Sequence, residues 1–438
     1  MTDFCRKIRH QQTDYIIRSL LDIDFYKLTM AYFIFKFHRG TKVKFQLINR
    51  DSSIPLAKIV PEAELRKQLD HVKTLKLRRT DLYYLRGMDV YGKNMFDEEF
   101  LTFLSNLQLG DYKLERIGDQ YDLSFNDNWE TVTFWETIAL AIISELYYRE
   151  LMKKMSGTEI SIMYGRATGK LYDKLKFIAD NSNAKVVDFG LRRRHSFLWQ
   201  KQAIEMAMDV LGPQFVGTSN AWMAFNNDLI PIGTNAHELP MVVTALAPSD
   251  EEKKLAQYKI LLEWEKLYGK GLRIMLPDTY GSAQFFSNMP SELAENFAHN
   301  WNGQRQDSGD PLVETARYYG WLKALGVDNE TIHQKLNIFS DGLDDKPIVQ
   351  YWQAYQKIIT PSFGWGTKLT NDFVDCVDND TDNLFRPFSV VCKVVEADGN
   401  PAVKLSNNIG KATGPKDEVE KYIKIFGNDG RGVQAVEV

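Results

Sequence analysis

A chain of 438 residues, 44% hydrophobic and 26% charged, has the length for two or more domains around a sizeable core. Its net charge of −4 excludes nucleic acid as a bulk electrostatic partner. The three cysteines, Cys5, Cys376 and Cys392, show neither paired spacing nor a metal pattern, which suits a reducing compartment, and no signal-peptide core or bilayer-length apolar run is present, so a cytoplasmic protein is expected.

Taken in order, residues 20–30 run into a helix, and 42–49 alternate polar with apolar residues as a strand with one wet face. Helical patterns fill 61–109, and 112–118 with 121–125 read as paired strands around a turn. Residues 1–135 are therefore expected to form an α+β domain. The longest apolar stretch, 132–148, is broken by Glu136 and Glu145 and reads as a buried helix.

Beyond it, short apolar runs end in Gly, Ser, Thr and Asp and alternate with helical patterns. Lys185-Val186-Val187-Asp188-Phe189-Gly190 precedes a helix over 197–211. Gln214-Phe215-Val216-Gly217-Thr218-Ser219-Asn220 repeats the plan, with Asn220 placed to cap the next helix. Ile230-Pro231-Ile232-Gly233 delivers His237 and Glu238 just past a glycine turn. The same plan recurs at 272–279, at 303–310 before a helix opened by Pro311, at 336–342 before a helix over 346–357, and at 363–367. About seven such strands predict a closed or nearly closed parallel α/β barrel over 136–380. In the remainder, 381–438, the runs 387–395 and 401–405 read as a hairpin around Asp398-Gly399, packed on either the N-terminal domain or the barrel.

Ligands of such sheets gather beyond the carboxyl ends of the strands. The turns Asp307-Ser308-Gly309-Asp310, Ser340-Asp341-Gly342 and Gly364-Trp365-Gly366-Thr367 place backbone N–H groups there, which suits a phosphate. Their carboxylates call for a divalent cation or sugar hydroxyls as partners. Arg192-Arg193-Arg194, directly after a strand end, suits a small carboxylate or phosphate, and Tyr26 and Phe189 offer flat faces to an aromatic ring.

Together with Asp24-Phe25-Tyr26-Lys27-Leu28-Thr29-Met30, the motifs Asp188-Phe189-Gly190-Leu191-Arg192-Arg193-Arg194, Gly217-Thr218-Ser219-Asn220, Gly233-Thr234-Asn235-Ala236-His237-Glu238, Arg305-Gln306-Asp307-Ser308-Gly309-Asp310, Ser340-Asp341-Gly342-Leu343 and Gly364-Trp365-Gly366-Thr367 resemble, in order and over nearly the whole chain, those of the nicotinate phosphoribosyltransferases. The resemblance implies an irregular parallel α/β barrel joined to an α+β N-terminal sandwich domain. It implies ATP-assisted synthesis of nicotinate mononucleotide from nicotinate and phosphoribosyl pyrophosphate, in the ligase class, as an entry to NAD salvage. It further implies transient phosphorylation of His237 by ATP, with the imidazole neutral and Glu238 or a nearby carboxylate holding its tautomer. The active sites would be shared across a homodimer, Tyr26 reaching over from the partner subunit so that the pyridine lies between it and Phe189. Mg²⁺ and Arg305 would then oppose the charge of the leaving pyrophosphate, while Asp307 and Asp341 suit the ribose. Thr218, Ser308, Gly309, Gly342, Gly364, Gly366 and Thr367 complete the expected substrate contacts.

Related nicotinamide enzymes carry an aspartate where this chain has Ser219. A serine there, with Arg192, Arg193 or Arg194, favours the acid, since facing one buried carboxylate with another costs on the order of several kcal/mol. Nicotinamide or quinolinate transfer is the alternative within enzymes. A binding barrel without turnover is the alternative outside them, and a lyase or isomerase barrel has no use for a phosphorylatable histidine.

Overall fold

The computed structural model describes residues 14–434; Cys5 and the expectations about the opening residues lie outside them. Three strands precede the barrel: β1 (Lys42–Asn49), β2 (Tyr112–Ile117) and β3 (Gln120–Asn128). In β1 the alternation turns Val43, Phe45 and Leu47 inward, as the period of two requires. Seven short strands follow, β4 (Lys185–Asp188), β5 (Phe215–Thr218), β6 (Ile230–Pro231), β7 (Ile274–Met275), β8 (Gly303–Gln306), β9 (Leu336–Phe339) and β10 (Thr360–Trp365). Then come β11 (Val390–Ala397) and β12 (Asn400–Pro401).

All of β4 to β10 pair in parallel in one curled sheet of order β6-β5-β4-β10-β9-β8-β7. Read round from β4, the strands keep chain order and β10 returns to β4. The open seam among the described residues falls between β6 and β7, each two residues long. Proline ends both, Pro231 inside β6 and Pro277 just past β7, and a proline N has no hydrogen to give a ladder. Side chains cross there instead: Asn235 Nδ2 donates to Ile274 O at 3.5 Å, and Arg305 Nη1 to Asn235 O at 2.9 Å.

The second sheet is antiparallel, in the order β12-β11-β1-β3-β2. β11 pairs along the whole of β1, from Val43 opposite Ala397 to Asn49 opposite Val390. The C-terminal segment is thus a strand of the N-terminal sheet. Its expected hairpin is shorter than the sequence suggests. Asp398 and Gly399 take positive φ of 44° and 79° to make the turn, but β12 stops at Pro401. The chain then leaves the sheet: Leu405 N and Ser406 N both donate to Thr279 O at 3.0 Å, and Val403 and Leu405 join an apolar cluster with Tyr280, Tyr422 and Phe426.

Between the sheets run two helices buried on nearly every face, Phe25–Phe37 and Trp135–Met152. Charges inside them are tolerated because each has a partner. Lys27 meets Glu136 and Glu238, and Glu145 meets Arg149 at 2.8 Å. Expected caps are in place: Asn220 Oδ1 accepts from Met223 N at 3.1 Å, and Asp310 accepts from Leu312 N and Val313 N ahead of Pro311–Ala324.

Candidate active site

The loops after the parallel strands converge on one cavity, roofed by β1 and β11, with about 1210 Å³ of free space including its open mouth. Its walls carry Phe189, Arg192, His237, Arg305, Asp307 and Asp341, together with Gly342, Gly364, Gly366 and Thr367. Two glycines let the backbones come this close. A Cβ at Gly233 would stand 2.7 Å from Tyr26 N, and one at Gly364 would stand 3.2 Å from the Phe189 ring.

His237 lies at the start of the helix Glu238–Leu246 with only 5% of its surface exposed. Nδ1 is 2.9 Å from Thr279 Oγ1 and Nε2 is 3.0 Å from Asp307 Oδ2, while Asp278 Oδ1 stands 3.8 Å from Nε2. Burial, then the nearby Lys404 ammonium, pushes the imidazole down to about 4, so it is neutral at physiological pH. Asp307 is held well below the usual carboxylate range despite its burial, by the His237 hydrogen bond and by Lys404 and Arg305. The carboxylate on the histidine is therefore Asp307. Glu238, expected as an orienting partner, faces the other way: it accepts from Trp129 Nε1 at 2.6 Å and Thr133 Oγ1 at 2.7 Å and pairs with Lys27.

Tyr26 lines the same cavity as Phe189 and belongs to the same chain, which corrects the expectation that it reaches over from a partner subunit. The fold explains this, since Phe25 N donates to Ser219 O at 2.6 Å and draws the start of the first helix to the end of β5. The three arginines separate cleanly. Arg194 is fully buried and forks onto Asp22 with two contacts of 2.8 Å, so it is structural. Arg193 donates from Nε to Val390 O at 3.1 Å, and burial together with Arg192 and Arg50 brings its guanidinium down to about 10. Arg192 keeps 40% of its side chain exposed, lies 5.9 Å from the Tyr26 ring centroid, and is steadied by Asp24 Oδ2 at 3.4 Å. It is the arginine best placed for a ligand beside the ring.

Four expected contact residues stand behind the wall instead of in it. Thr218 Oγ1 donates to Asp188 Oδ2 at 2.7 Å, and Ser219 Oγ donates to Asp24 Oδ1 at 2.6 Å. Ser308 Oγ donates to Asp278 Oδ2, and Gly309 packs against Asn407. Conversely, the roof brings cations that motif reading passed over. Lys404 Nζ lies 3.7 Å from Asp307 Oδ2, and Lys411 pairs with Asp341 and donates to Asp307 O at 3.2 Å. Lys393 lines the cavity from β11, and burial, with Lys404 and Arg50, brings it down to about 7. A lone lysine inside the apolar run Val390-Val391-Cys392-Lys393-Val394 was the available signal. His237, Asp278 and Asp307 also place ligand atoms within 4.8 Å of one another.

A curled parallel α/β half-barrel with a cationic, carboxylate-edged cavity at its strand ends defines an enzyme class that works on phosphorylated sugars and nucleotides. Residues 184–429 match the family model of the nicotinate phosphoribosyltransferase (NAPRTase) family, and residues 21–144 match that of its N-terminal domain. The chain belongs to the nicotinate phosphoribosyltransferase family. Among solved structures, the nicotinate phosphoribosyltransferase from Porphyromonas gingivalis is 26% identical with a TM-score of 0.81, covering 94% of this chain and 100% of that one. The one from Vibrio cholerae is 26% identical with a TM-score of 0.82, covering 97% and 95%. No helix among the described residues is long and apolar enough to cross a membrane.

Proposed function

We propose that this chain makes nicotinate mononucleotide and pyrophosphate from nicotinate and phosphoribosyl pyrophosphate, coupled to ATP hydrolysis through a transient phosphohistidine at His237. The observation that carries the proposal is the buried neutral imidazole, held at both ring nitrogens on the wall of a cavity that also holds Arg192, Tyr26 and Phe189. The Thr279 hydroxyl serves either tautomer, since it donates or accepts. In the resting site Nε2 carries the ring proton and donates it to ionised Asp307. Once that proton sits on Nδ1 and is given to Thr279, the freed Nε2 lone pair attacks the γ-phosphorus of ATP. The N–P bond forms as the bridging P–O bond breaks, and ADP leaves with that electron pair.

In the second half-reaction the pyridine nitrogen attacks C1 of the ribose and the C1–O bond breaks toward pyrophosphate; water then attacks the phosphorus on His237, the N–P bond breaks back to the ring, and inorganic phosphate leaves. The pyridine nitrogen has no proton to lose, so its attack requires no general base. Arg305 and the roof lysines oppose the charge of the leaving pyrophosphate, and Asp341 faces the sugar. Arg192 takes the carboxylate of nicotinate, with Tyr26 and Phe189 on the ring faces. Mg²⁺ fits Asp278 and Asp307: Asp278 Oδ1 is buried without a hydrogen-bond donor, and hard oxygen atoms are what this ion takes. Bound there it would neutralise phosphate charge. A homodimer remains part of the proposal, with Tyr26 supplied within each chain.

The test is incubation with γ-labelled ATP, followed by mapping of acid-labile phosphate. Label is expected on His237, and His237→Ala loses both label and ATP-stimulated product while a slow ATP-independent synthesis persists. A variant that still couples ATP fully overturns the proposal.

A further inference from the structure

His237 is held from beneath by a segment that belongs to neither the barrel strands nor their loops. Residues 405–408 pass under two barrel loops and bond to both. On one side, Leu405 N and Ser406 N donate to Thr279 O, the backbone oxygen of the residue whose hydroxyl meets His237 Nδ1. Next to it, Asn407 Oδ1 accepts from Ser282 N at 2.8 Å and Asn407 Nδ2 donates to Ser282 Oγ at 2.8 Å. On the other side, Asn407 Nδ2 donates to Ser308 O at 3.3 Å.

A chain of hydroxyls runs through the middle. Asn408 N donates to Ser406 Oγ at 3.4 Å, Ser406 Oγ to Ser308 Oγ at 2.8 Å, and Ser308 Oγ to Asp278 Oδ2 at 2.5 Å. Asn407 N adds a second donor to Ser308 Oγ at 3.2 Å. Each lone pair of Ser308 Oγ is thereby occupied, so its proton is committed to Asp278. Asp278 is pinned by Oδ2 and keeps Oδ1 buried, without a hydrogen-bond donor, toward His237 Nε2. Ser406 and Ser308 are themselves buried, at 0% and 3% exposure. Ser406 also takes φ of 65°, a left-handed conformation that a serine adopts at a cost. Strain retained at a fully buried hydroxyl marks a position where the hydroxyl has a task.

We propose that Ser406 is a positioning residue for phosphoryl transfer: through Ser308 it fixes the Asp278 carboxylate, and through its backbone the Thr279 hydroxyl, around His237. The step it serves is the attack of Nε2 on the γ-phosphorus, in which the ring must be aligned to within a fraction of an ångström. Synthesis that bypasses the histidine does not use this alignment. The inference rests on the phosphohistidine reading above.

The test compares wild type with Ser406→Ala and Ser406→Gly, measuring the single-turnover rate of His237 labelling from γ-labelled ATP, ATP-independent synthesis, and thermal stability. Glycine relieves the left-handed backbone while removing the same hydroxyl, so it folds even if alanine does not. Both variants are expected to label about fivefold more slowly, the loss expected when one neutral hydrogen bond in the chain that orders Asp278 is gone. Their ATP-independent synthesis stays within about twofold of wild type. Labelling at the wild-type rate in the glycine variant overturns the inference. So does a parallel loss of labelling, uncoupled synthesis and stability, the outcome of a purely architectural role. Absence of label in the wild type overturns the phosphohistidine itself, and the inference with it.

Discussion

At Ser219 the hydroxyl reaches Asp24, whose carboxyl is raised to about 6, chiefly by burial, and whose other oxygen faces Arg192. An aspartate at this position would therefore meet a carboxylate of the protein before it met one of the substrate. Two carboxylates at that spacing share a proton that is lost only at higher pH. Ser219→Asp is expected to lose nicotinate turnover by about tenfold or more at pH 8 and to recover part of it near pH 6, as the shared proton returns. Steady-state kinetics from pH 6 to 8 check this; near-unchanged turnover at pH 8 would mean that the two carboxylates do not share a proton beside Arg192. His237 was legible from sequence because a histidine just past Gly233 stands at a strand end. Its partners were not, because Thr279 and Asp307 are brought to it by tertiary folding across 42 and 70 residues of chain. The adjacent Glu238 was the nearest carboxylate in sequence, yet the helix that His237 opens turns it toward Lys27 and Trp129.

Among the elements, β4, β5, β9 and β10 could be read from apolar runs closed by turn residues, and β8, the polar run Gly303–Gln306, only from the turn and the Pro311 helix that follow it. β6 and β7 are two residues each, β6 ending on a proline that cannot extend the ladder. The C-terminal helix Lys416–Phe426 has a stripe, Val419, Tyr422, Ile423 and Phe426, at helical spacing that could have been read from sequence; what could not be read were its partners, Tyr280 and Leu405, distant in the chain. Phe426 stacks on Tyr280 at 4.0 Å between ring centroids with 9° between their planes. Phe426→Ala should cost about 3 kcal/mol in urea unfolding. Because Tyr280 adjoins Thr279, the same variant should also slow labelling of His237; a variant with wild-type stability would show that the helix is not bound through this ring pair.

On the scale of the molecule, His195 sits where three segments meet. Its ring stacks on Phe373 at 3.8 Å, its Nε2 is 3.0 Å from the Tyr164 hydroxyl, and Tyr148 lies 4.5 Å away. Burial pushes it down to about 3. Below pH 6.5 the unfolded chain takes up a proton here that the folded chain refuses, so the stability this residue contributes is complete above 6.5 and declines as pH falls toward 3. The difference in unfolding free energy between wild type and His195→Gln should shrink by about 1.4 kcal/mol per pH unit below 6.5. Urea titrations at pH 7.5, 6.0 and 5.0 measure it, and a difference independent of pH would mean that the folded histidine takes up its proton in the same range as the unfolded one. The barrel itself was legible because its alternation is local, whereas the second sheet was not, since β1 and β11 pair across more than 300 residues.

That pairing has a consequence for how the chain is made. Until the ribosome has passed residue 397, β1 lacks one neighbour and presents an open backbone edge, the kind of surface that chaperones cover. Lys393, Lys404 and Lys411 all arrive in the same late stretch, so a nascent chain with every barrel strand already synthesised still has no charged roof over its mouth. Completion of the cationic cavity is thus withheld until translation of this stretch has ended.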